Sequence, residues 1–434
     1  MFIIKRIPRK IIALIISFTF LFSCMPTRVP PISSSGAAFQ PEKDEKRLWD
    51  ESRAEEKKFL EKAEFYKDPL LEDYLNTVAL RLEPEGLAAQ DQLAIRVRIL
   101  NDPTLNAFAY PHGTIYVHTG LIARLENEDQ IAGVIAHEMT HVENRHMLRY
   151  KRSIQNKQIG FMIAAIAGSI WAASEAGHAA EEGHWGKAAR ISQVADLLLG
   201  LGLQLAFIAA INGYGRNLER EADDGALKKM QNFGYNPAQM EKVYSLLLDD
   251  HGDGTKLETF FFGNHPQLKE RIENTRAYLS SHPEINDVPA KANVDPQDFQ
   301  RRVRSLLKDD ALLNMNAGRF GIAEDELKRA IAIVPGDPVA HYLLGILYMK
   351  KADVKKEEAE TLRQNALNFF IEAVQLDPLY ADPHRELGLG AYRSGDFPTA
   401  CGEFKKYIEL APGASDVARM KDYILELKTM GHCE

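Results

Sequence analysis

The most constraining feature of the sequence is a stretch from Asn127 to His146 that contains two histidines four residues apart. Asn127 is a favourable N-cap, and Gln130 three residues later completes a capping-box pattern, so a helix is predicted to begin here. Apolar residues then recur at helical spacing. On such a helix His137 and His141 leave the same face, because residues four apart are neighbours on its surface.

Two converging imidazoles favour a divalent metal site, and zinc accepts histidine nitrogen. A catalytic zinc site has three protein ligands and keeps a fourth position open. Glu138 adjoins the first histidine, so its carboxylate can act as the general base and then as the general acid in hydrolysis. The pattern is typical of zinc peptidases when it lies on a helix. We therefore predict one zinc ion per chain, with His137 and His141 among its ligands.

A candidate for the third ligand lies further along the chain. Residues 213–225 include Glu219 and Asp223, which are again one helical turn apart. Glu219 would complete a His, His, Glu ligand set that leaves a position open. Asp223 could assist catalysis by accepting a hydrogen bond from a zinc histidine and fixing the orientation of its ring. The alternative is that the charged residues here form an exposed, salt-bridged helix face.

Several motifs in a fixed order resemble the HtpX and CAAX-prenyl-protease family of zinc metallopeptidases. They are His137-Glu-Met-Thr-His141, Glu219-Arg-Glu-Ala-Asp223, the upstream segment from Asn106 to Ile122, and His265-Pro266. The likeness covers roughly residues 50–280 and is greatest to the periplasmic BepA-type branch, which joins such a domain to tetratricopeptide repeats. The resemblance implies a zincin fold of the gluzincin type and hydrolysis of peptide bonds.

The resemblance also directs attention to residues outside the two metal motifs. His265 is a candidate additional zinc ligand that would make the resting enzyme latent, and the alternative is a helix-capping turn. Arg216 is a candidate for contacting the substrate or its oxyanion, and the sequence does not distinguish it from Arg271 in this role. The segment from Asn106 to Val117 is a candidate edge strand for an extended substrate, or simply core sheet.

Residues 1–23 resemble a secretory signal peptide of the lipoprotein type. An apolar run from Ile11 to Phe22 follows basic residues and is too short to span a bilayer. The run ends in a sequence similar to the bacterial lipobox, so Cys24 is the candidate lipidation site. The alternatives are an ordinary cleaved signal and an uncleaved anchor. Lipid on Cys24 would attach the protein to a membrane, and residues 24–45 are predicted to form a flexible tether.

Charge and hydropathy exclude some classes of function. The net charge of -8 gives no basic surface that would favour a nucleic-acid partner. The apolar stretches at residues 159–173 and 197–211 are shorter than a membrane span, so buried helices are favoured over an integral membrane protease. Between them, residues 174–187 contain His178 and His184 and are predicted to form a solvated lid, with a second metal site as the alternative.

An internal repeat marks the C-terminal part of the chain. Ala366, Phe370, Ala373 and Pro378 recur thirty-four residues later as Ala400, Phe404, Tyr407 and Pro412. This spacing is the period of the tetratricopeptide repeat. After a linker at residues 286–300, we expect residues 301–434 to form an α-solenoid whose groove binds a peptide or partner protein. The alternative is that the repeats only stabilise the peptidase domain. Cys401 and Cys433 could form a disulfide.

The sequence thus predicts a mainly α protein with a small β-sheet, in which a zinc metallopeptidase domain over residues 46–285 precedes the repeats. The expected function is that of a periplasmic zinc-dependent endopeptidase acting on protein or peptide substrates. The resemblance implies quality control of envelope or outer-membrane proteins, a lipid anchor in the outer membrane, and repeats that contact clients or the outer-membrane assembly machinery. The alternative is a repeat-based chaperone or scaffold with latent or incidental proteolysis.

Overall fold

The computed structural model describes residues 27–34, 39–88, 93–156, 215–250, 268–283 and 296–434. The chain divides into two compact units. The first consists of Met1–Leu100, Leu105–Val117 and Asp129–Ala292, and the second consists of Asn101–Thr104, His118–Glu128 and Asn293–Glu434. The expectations for the signal peptide and Cys24, for residues 159–211 and for His265 concern positions outside the described residues.

Helices dominate the first unit, as predicted. They are α1 (Lys43–Leu60), α2 (Pro69–Leu82), α3 (Glu85–Ala88), α5 (Glu128–Glu143), α6 (residues 146–156), α7 (Arg216–Asn232), α8 (Gln239–Asp250) and α9 (Leu268–Ser281). Helix α5 begins directly after Asn127, which confirms the predicted start. Helix α7 ends just before Gly234, whose positive φ of 76° suits glycine and turns the chain out of the helix.

A small three-stranded sheet completes the first unit. Its strands are β1 (Arg96–Leu100), β2 (Ala107–Ala109) and β3 (Thr114–His118), in the order β1-β3-β2. Strand β2 runs antiparallel to β3, with Phe108 opposite Tyr116. Gly113 makes the turn between them at a φ of 105°. Strand β2 lies at one edge of the sheet, a position in which a strand can pair with an extended peptide.

Part of the segment expected to be a flexible tether is packed against the first unit. Ile32 is 1% exposed, and Phe39 is also buried. The Ser33 hydroxyl donates a hydrogen bond to Glu143 at the end of α5. Glu45 forms a buried ion pair with Arg145. Apolar residues among the prolines and serines thus draw residues before position 46 into the core of this unit.

The second unit is built of helices, most of which pack against the next helix in sequence. Its helices are α4 (Thr119–Arg124), α10 (Pro296–Asn316), α11 (Phe320–Ile333), α12 (Pro338–Val354), α13 (Ala359–Leu376), α14 (Ala381–Ser394), α15 (Phe397–Leu410) and α16 (Val417–Thr429). Two of them begin with a capping aspartate and a proline in the first turn, since Asp337 caps α12 and Asp396 caps α15. None of the described helices is both long enough and apolar enough to cross a membrane.

The predicted repeat positions are structurally equivalent in two successive pairs. A Cβ added to Gly345 of α12 would lie 2.4 Å from Phe370 of α13. In the next pair, a Cβ at Gly388 of α14 would lie 2.6 Å from Phe404 of α15. Glycine in the first helix therefore lets an aromatic ring of the second approach its backbone. The charged segment at residues 350–360 forms the end of α12, a short 3-10 turn at Lys356–Glu358 and the start of α13.

Residues 118–128, which sequence order assigns to the peptidase domain, belong to the second unit. Arg329 of α11 donates hydrogen bonds to the carbonyl oxygens of Ala123 and Leu125. Helix α10 begins at Pro296, inside the predicted linker.

Near the C-terminus Cys401 and Cys433 are joined by a disulfide, the pairing that the sequence left open.

A buried carboxyl pair makes the stability of the second unit depend on pH. Asn314 Nδ2 donates to Asp310 at 2.9 Å and to Glu326 at 3.0 Å. Burial, aided by the charge of Asp310, raises the pKa of Glu326 from 4.5 to about 9. Between these two pKa values the folded unit keeps a proton on Glu326 that the unfolded chain has already lost. The stability of the unit therefore falls as pH rises through this window.

We predict that Glu326→Gln reduces this pH dependence, because the amide imitates the protonated carboxyl. Hydrogen exchange of α10 and α11, corrected for intrinsic rates, should show lower protection at about pH 8.5 than at about pH 6 in the unaltered chain. The variant should show a smaller difference. Asp325→Asn, an exposed neighbour, is the matched control and should behave like the unaltered chain. Equal pH dependence in all three proteins would contradict the assignment.

Candidate metal centre

Helix α5 brings its two histidines together on one buried face. His137 Nε2 and His141 Nε2 are 3.0 Å apart, and both side chains are almost fully buried. Ile131, Val134 and Ile135 on the same helix are buried in the core of the unit, which holds α5 in place. The spacing of four residues thus produces the converging nitrogens that the sequence predicts.

Glu219 of α7 completes the cluster. Its carboxylate oxygens lie 3.6 Å from His137 Nε2 and 3.9 Å from His141 Nε2. One donor atom from each of these three residues lies within 4.8 Å of the other two, and among the described residues this is the one such group of histidines, cysteines and carboxylates. Ligands of a tetrahedral zinc ion are about 3.3 Å apart, so the three donors fit zinc in kind and in spacing.

Close packing of α7 on α5 sets this geometry. A Cβ added to Gly225 of α7 would lie 2.4 Å from Thr140 Cγ2 on α5. One turn further on, Lys229 donates a hydrogen bond of 3.2 Å to Thr140 Oγ1 and forms a buried ion pair with Glu143. Glycine and a paired lysine therefore allow the two helices to approach closely enough for Glu219 to reach the histidines.

Asp223 lies behind His137, as the sequence suggested. His137 Nδ1 is 3.0 Å from Asp223 Oδ1, so a proton on Nδ1 is held there, and Nε2 is the nitrogen that faces the cluster. Arg271 of α9 donates to both Asp223 oxygens at 2.8 and 2.5 Å, and Tyr244 of α8 donates at 2.7 Å. Asp223 is therefore placed as a positioning residue for His137.

The buried charges shift one another's pKa values. Burial opposes a charge on His137, but hydrogen bonds to Asp223 and Glu219 outweigh it and raise the pKa of His137 to about 9. His141 lacks such a direct carboxylate behind it, and burial holds its pKa well below the ordinary value. Burial also acts on Glu219, yet the adjacent histidines and Arg271 keep the pKa of this carboxyl well below 4.5. The cluster therefore keeps Glu219 ionised, as a metal ligand must be.

Glu138 lies beside the three donor residues and next to the edge strand β2. Burial, with the Glu219 carboxylate adding to it, raises the pKa of Glu138 to about 8 against the opposing charge of His137. Its carboxylate also accepts a hydrogen bond from the backbone N–H of Ala109 in β2. The predicted general base is thus brought to the strand that the sequence proposed for substrate binding.

The structure separates the two arginines that the sequence could not distinguish. Arg271 is buried beside Asp223, with its guanidinium over the Tyr244 ring. Arg216, at the start of α7, has a side chain that is 60% exposed and an ion-pair contact of 3.7 Å with Glu270. Arg271 is therefore the arginine placed beside the cluster, where it holds Asp223. The role of His265 stays a prediction, since that residue lies outside the described ranges.

Comparison with known protein families matches the part of the chain that carries this site. A family model described as Peptidase family M48 matches residues 69–283, a range that includes all three donors and Glu138. The chain contains an M48 peptidase domain. The predicted resemblance to the HtpX family is thereby confirmed.

Individual relatives match somewhat less than half of the chain at modest identity. The beta-barrel assembly-enhancing protease of Escherichia coli (strain K12) is 27% identical over 214 residues, which are 49% of this chain and 40% of that protein. A protease HtpX homolog of Limosilactobacillus reuteri (strain DSM 20016) is 26% identical over 200 residues, which are 42% of this chain and 66% of that protein. The chain therefore matches less than half the length of the first of these relatives.

A further relative comes from a eukaryote. The mitochondrial metalloendopeptidase OMA1 of Schizosaccharomyces pombe is 25% identical over 195 residues, which are 45% of this chain and 49% of that protein. Three differently named proteases thus match between 42% and 49% of this chain.

We predict that Gly225→Ala destabilises the first unit by about 1–3 kcal/mol, because the added methyl group collides with Thr140 and forces α7 away from α5. A second change, Thr140→Ser, removes the colliding Cγ2 and keeps the hydroxyl, so the double variant should regain most of the loss. Urea unfolding followed by tryptophan fluorescence measures both effects. If Thr140→Ser adds its own destabilisation to that of Gly225→Ala, the two helices are not in the contact described.

Proposed function

We propose that this chain is a zinc-dependent endopeptidase. The observation that carries the proposal is the buried set of His137, His141 and Glu219, whose donors have the spacing of zinc ligands, with Glu138 beside them. The M48 domain that contains this set supports the same conclusion. The domain is proposed to have the gluzincin form of the zincin fold, with two histidines from one helix and a glutamate from a second.

Glu138 is proposed as the group that moves protons during hydrolysis. When bound, zinc supplies Lewis-acid chemistry at the scissile carbonyl and a lower pKa for water. A carboxyl whose pKa burial brings near neutrality can accept a proton from water and return it to the leaving amine. Asp223 keeps His137 in the tautomer that presents Nε2, and Arg271 keeps Asp223 in place.

The substrate is proposed to bind in extended form beside β2. This strand forms the edge of the sheet, and the N–H of Ala109 at its end already contacts Glu138. Main-chain pairing with an edge strand recognises backbone rather than a particular side chain. It therefore suits an enzyme that cleaves unfolded or misassembled proteins, whose extended segments are accessible.

The site of action is proposed to be the periplasm, with the protein attached to the outer membrane through lipid on Cys24. The relative named beta-barrel assembly-enhancing protease supports a role in envelope protein quality control. The helix pairs of the second unit are proposed to be tetratricopeptide repeats that recruit clients or the outer-membrane assembly machinery. Their 34-residue spacing and the repeated glycine-aromatic contacts support this.

We predict that Glu138→Gln abolishes cleavage of an unfolded protein such as reduced casein while the zinc content stays near one ion per chain. The amide keeps the size of the side chain but cannot accept the proton. Cleavage is measured by gel electrophoresis and zinc by atomic absorption, and Glu270→Gln, at a partly exposed position, serves as the control. Full cleavage by the Glu138→Gln variant would contradict the proposal and favour the chaperone or scaffold alternative.

A further inference from the structure

His146 is a buried histidine that lies directly against the proposed zinc ligand His141. Their Nδ1 atoms are 2.8 Å apart, and the two rings meet edge to face. The other nitrogen of His141, Nε2, faces His137 Nε2 at 3.0 Å. The imidazole of His141 therefore presents one nitrogen to the ligand cluster and the other to His146.

The backbone at Arg145 makes this contact possible. In a continuous helix, residues five apart point in directions that differ by about 140°, so His146 would face away from His141. Helix α5 ends at Glu143, and Arg145 adopts a φ of 57°, which is the left-handed region that residues other than glycine rarely occupy. Its guanidinium forms a buried ion pair with Glu45, which holds this turn in place.

The two facing nitrogens determine where the protons are. Only one proton can lie between His141 Nδ1 and His146 Nδ1. If His141 uses Nε2 as a metal ligand, its proton is on Nδ1 and is donated to His146 Nδ1. His146 then carries its own proton on Nε2, which lies 3.5 Å from Glu221 Oε2. The result is a series of polar contacts that runs from His141 through His146 to Glu221.

Glu221 is itself held in place. Arg149 of α6 donates two hydrogen bonds to its carboxylate, the second at 2.9 Å. Glu221 is thus held in one orientation, with an oxygen 3.5 Å from His146 Nε2. Helix α7 therefore carries Glu219 in the ligand set, Asp223 behind His137, and Glu221 behind His146.

We infer that His146 is a positioning residue that orients His141 for zinc and that Glu221 fixes the tautomer of His146. The inference rests on the proposed function, because it concerns the support of a metal ligand. Each ligand histidine then has a carboxylate behind it, directly in the case of His137 and through a second imidazole in the case of His141. Such outer partners raise the basicity of the ligating nitrogen and fix the plane of its ring.

The test is the zinc affinity of the full chain, measured by competition with a chromogenic chelator. His146→Leu removes the acceptor and should weaken zinc binding by about tenfold or more. His146→Asn keeps an acceptor oxygen near the position of Nδ1, so its affinity should stay within about threefold of the unaltered chain. Glu221 lies at a partly exposed position, and Glu221→Gln should weaken zinc binding by a factor between those of His146→Asn and His146→Leu.

Asp224→Asn is the matched control, because Asp224 lies on the same helix and is exposed. Its zinc affinity should equal that of the unaltered chain. Thermal unfolding of the metal-free variants separates a structural role from a positioning role. Should His146→Leu fail to fold, the comparison of Glu221→Gln with Asp224→Asn still measures the effect on folded protein.

The measurements distinguish failure of the positioning role of His146 from failure of the proposed zinc-dependent function. Zinc affinities that are equal in the unaltered chain, His146→Leu and Glu221→Gln would overturn the positioning role, even if the metal-free His146→Leu protein were less stable. Failure of the unaltered chain to bind zinc would instead contradict the proposed function. Loss of affinity in His146→Leu together with its retention in His146→Asn is the expected pattern.

Discussion

The close packing of helix α7 on helix α5 is the contact on which the site depends. It brings the carboxylate of Glu219 into a buried space that already holds two imidazoles. An isolated carboxylate at such a position would be strongly destabilising, so the charge has to be compensated by its neighbours. The histidines and Arg271 provide this compensation here, and a divalent cation would provide more.

The surrounding network is arranged by sequence neighbours on α7. Glu219 faces the cluster, Glu221 faces His146, and Asp223 faces His137. Helices α6 and α9 add an arginine each, Arg149 for Glu221 and Arg271 for Asp223. One helix therefore supplies Glu219 of the cluster and the two carboxylates that contact His137 and His146. Any movement of α7 would alter all three contacts together.

The parts of the site that follow from local spacing could be predicted from sequence. His137, His141 and Glu138 share one helix, so helical periodicity alone places them on adjacent faces. His146 could not be predicted in this way, because its contact requires the left-handed backbone at Arg145. The contact of Arg271 with Asp223 joins two helices that periodicity does not relate. Similarly, the sequence could not show that Ile32 would be buried or that residues 118–128 would pack with the second unit.

The central claim is that zinc binds between α5 and α7. X-ray absorption spectroscopy at the zinc edge of the metal-loaded full chain tests it most directly. The account predicts a first shell of nitrogen and oxygen at about 2.0–2.1 Å with the multiple-scattering pattern of two imidazoles. It also predicts that Glu219→Ala changes this shell. A shell containing sulfur, or an unchanged two-imidazole spectrum after Glu219→Ala, would contradict it.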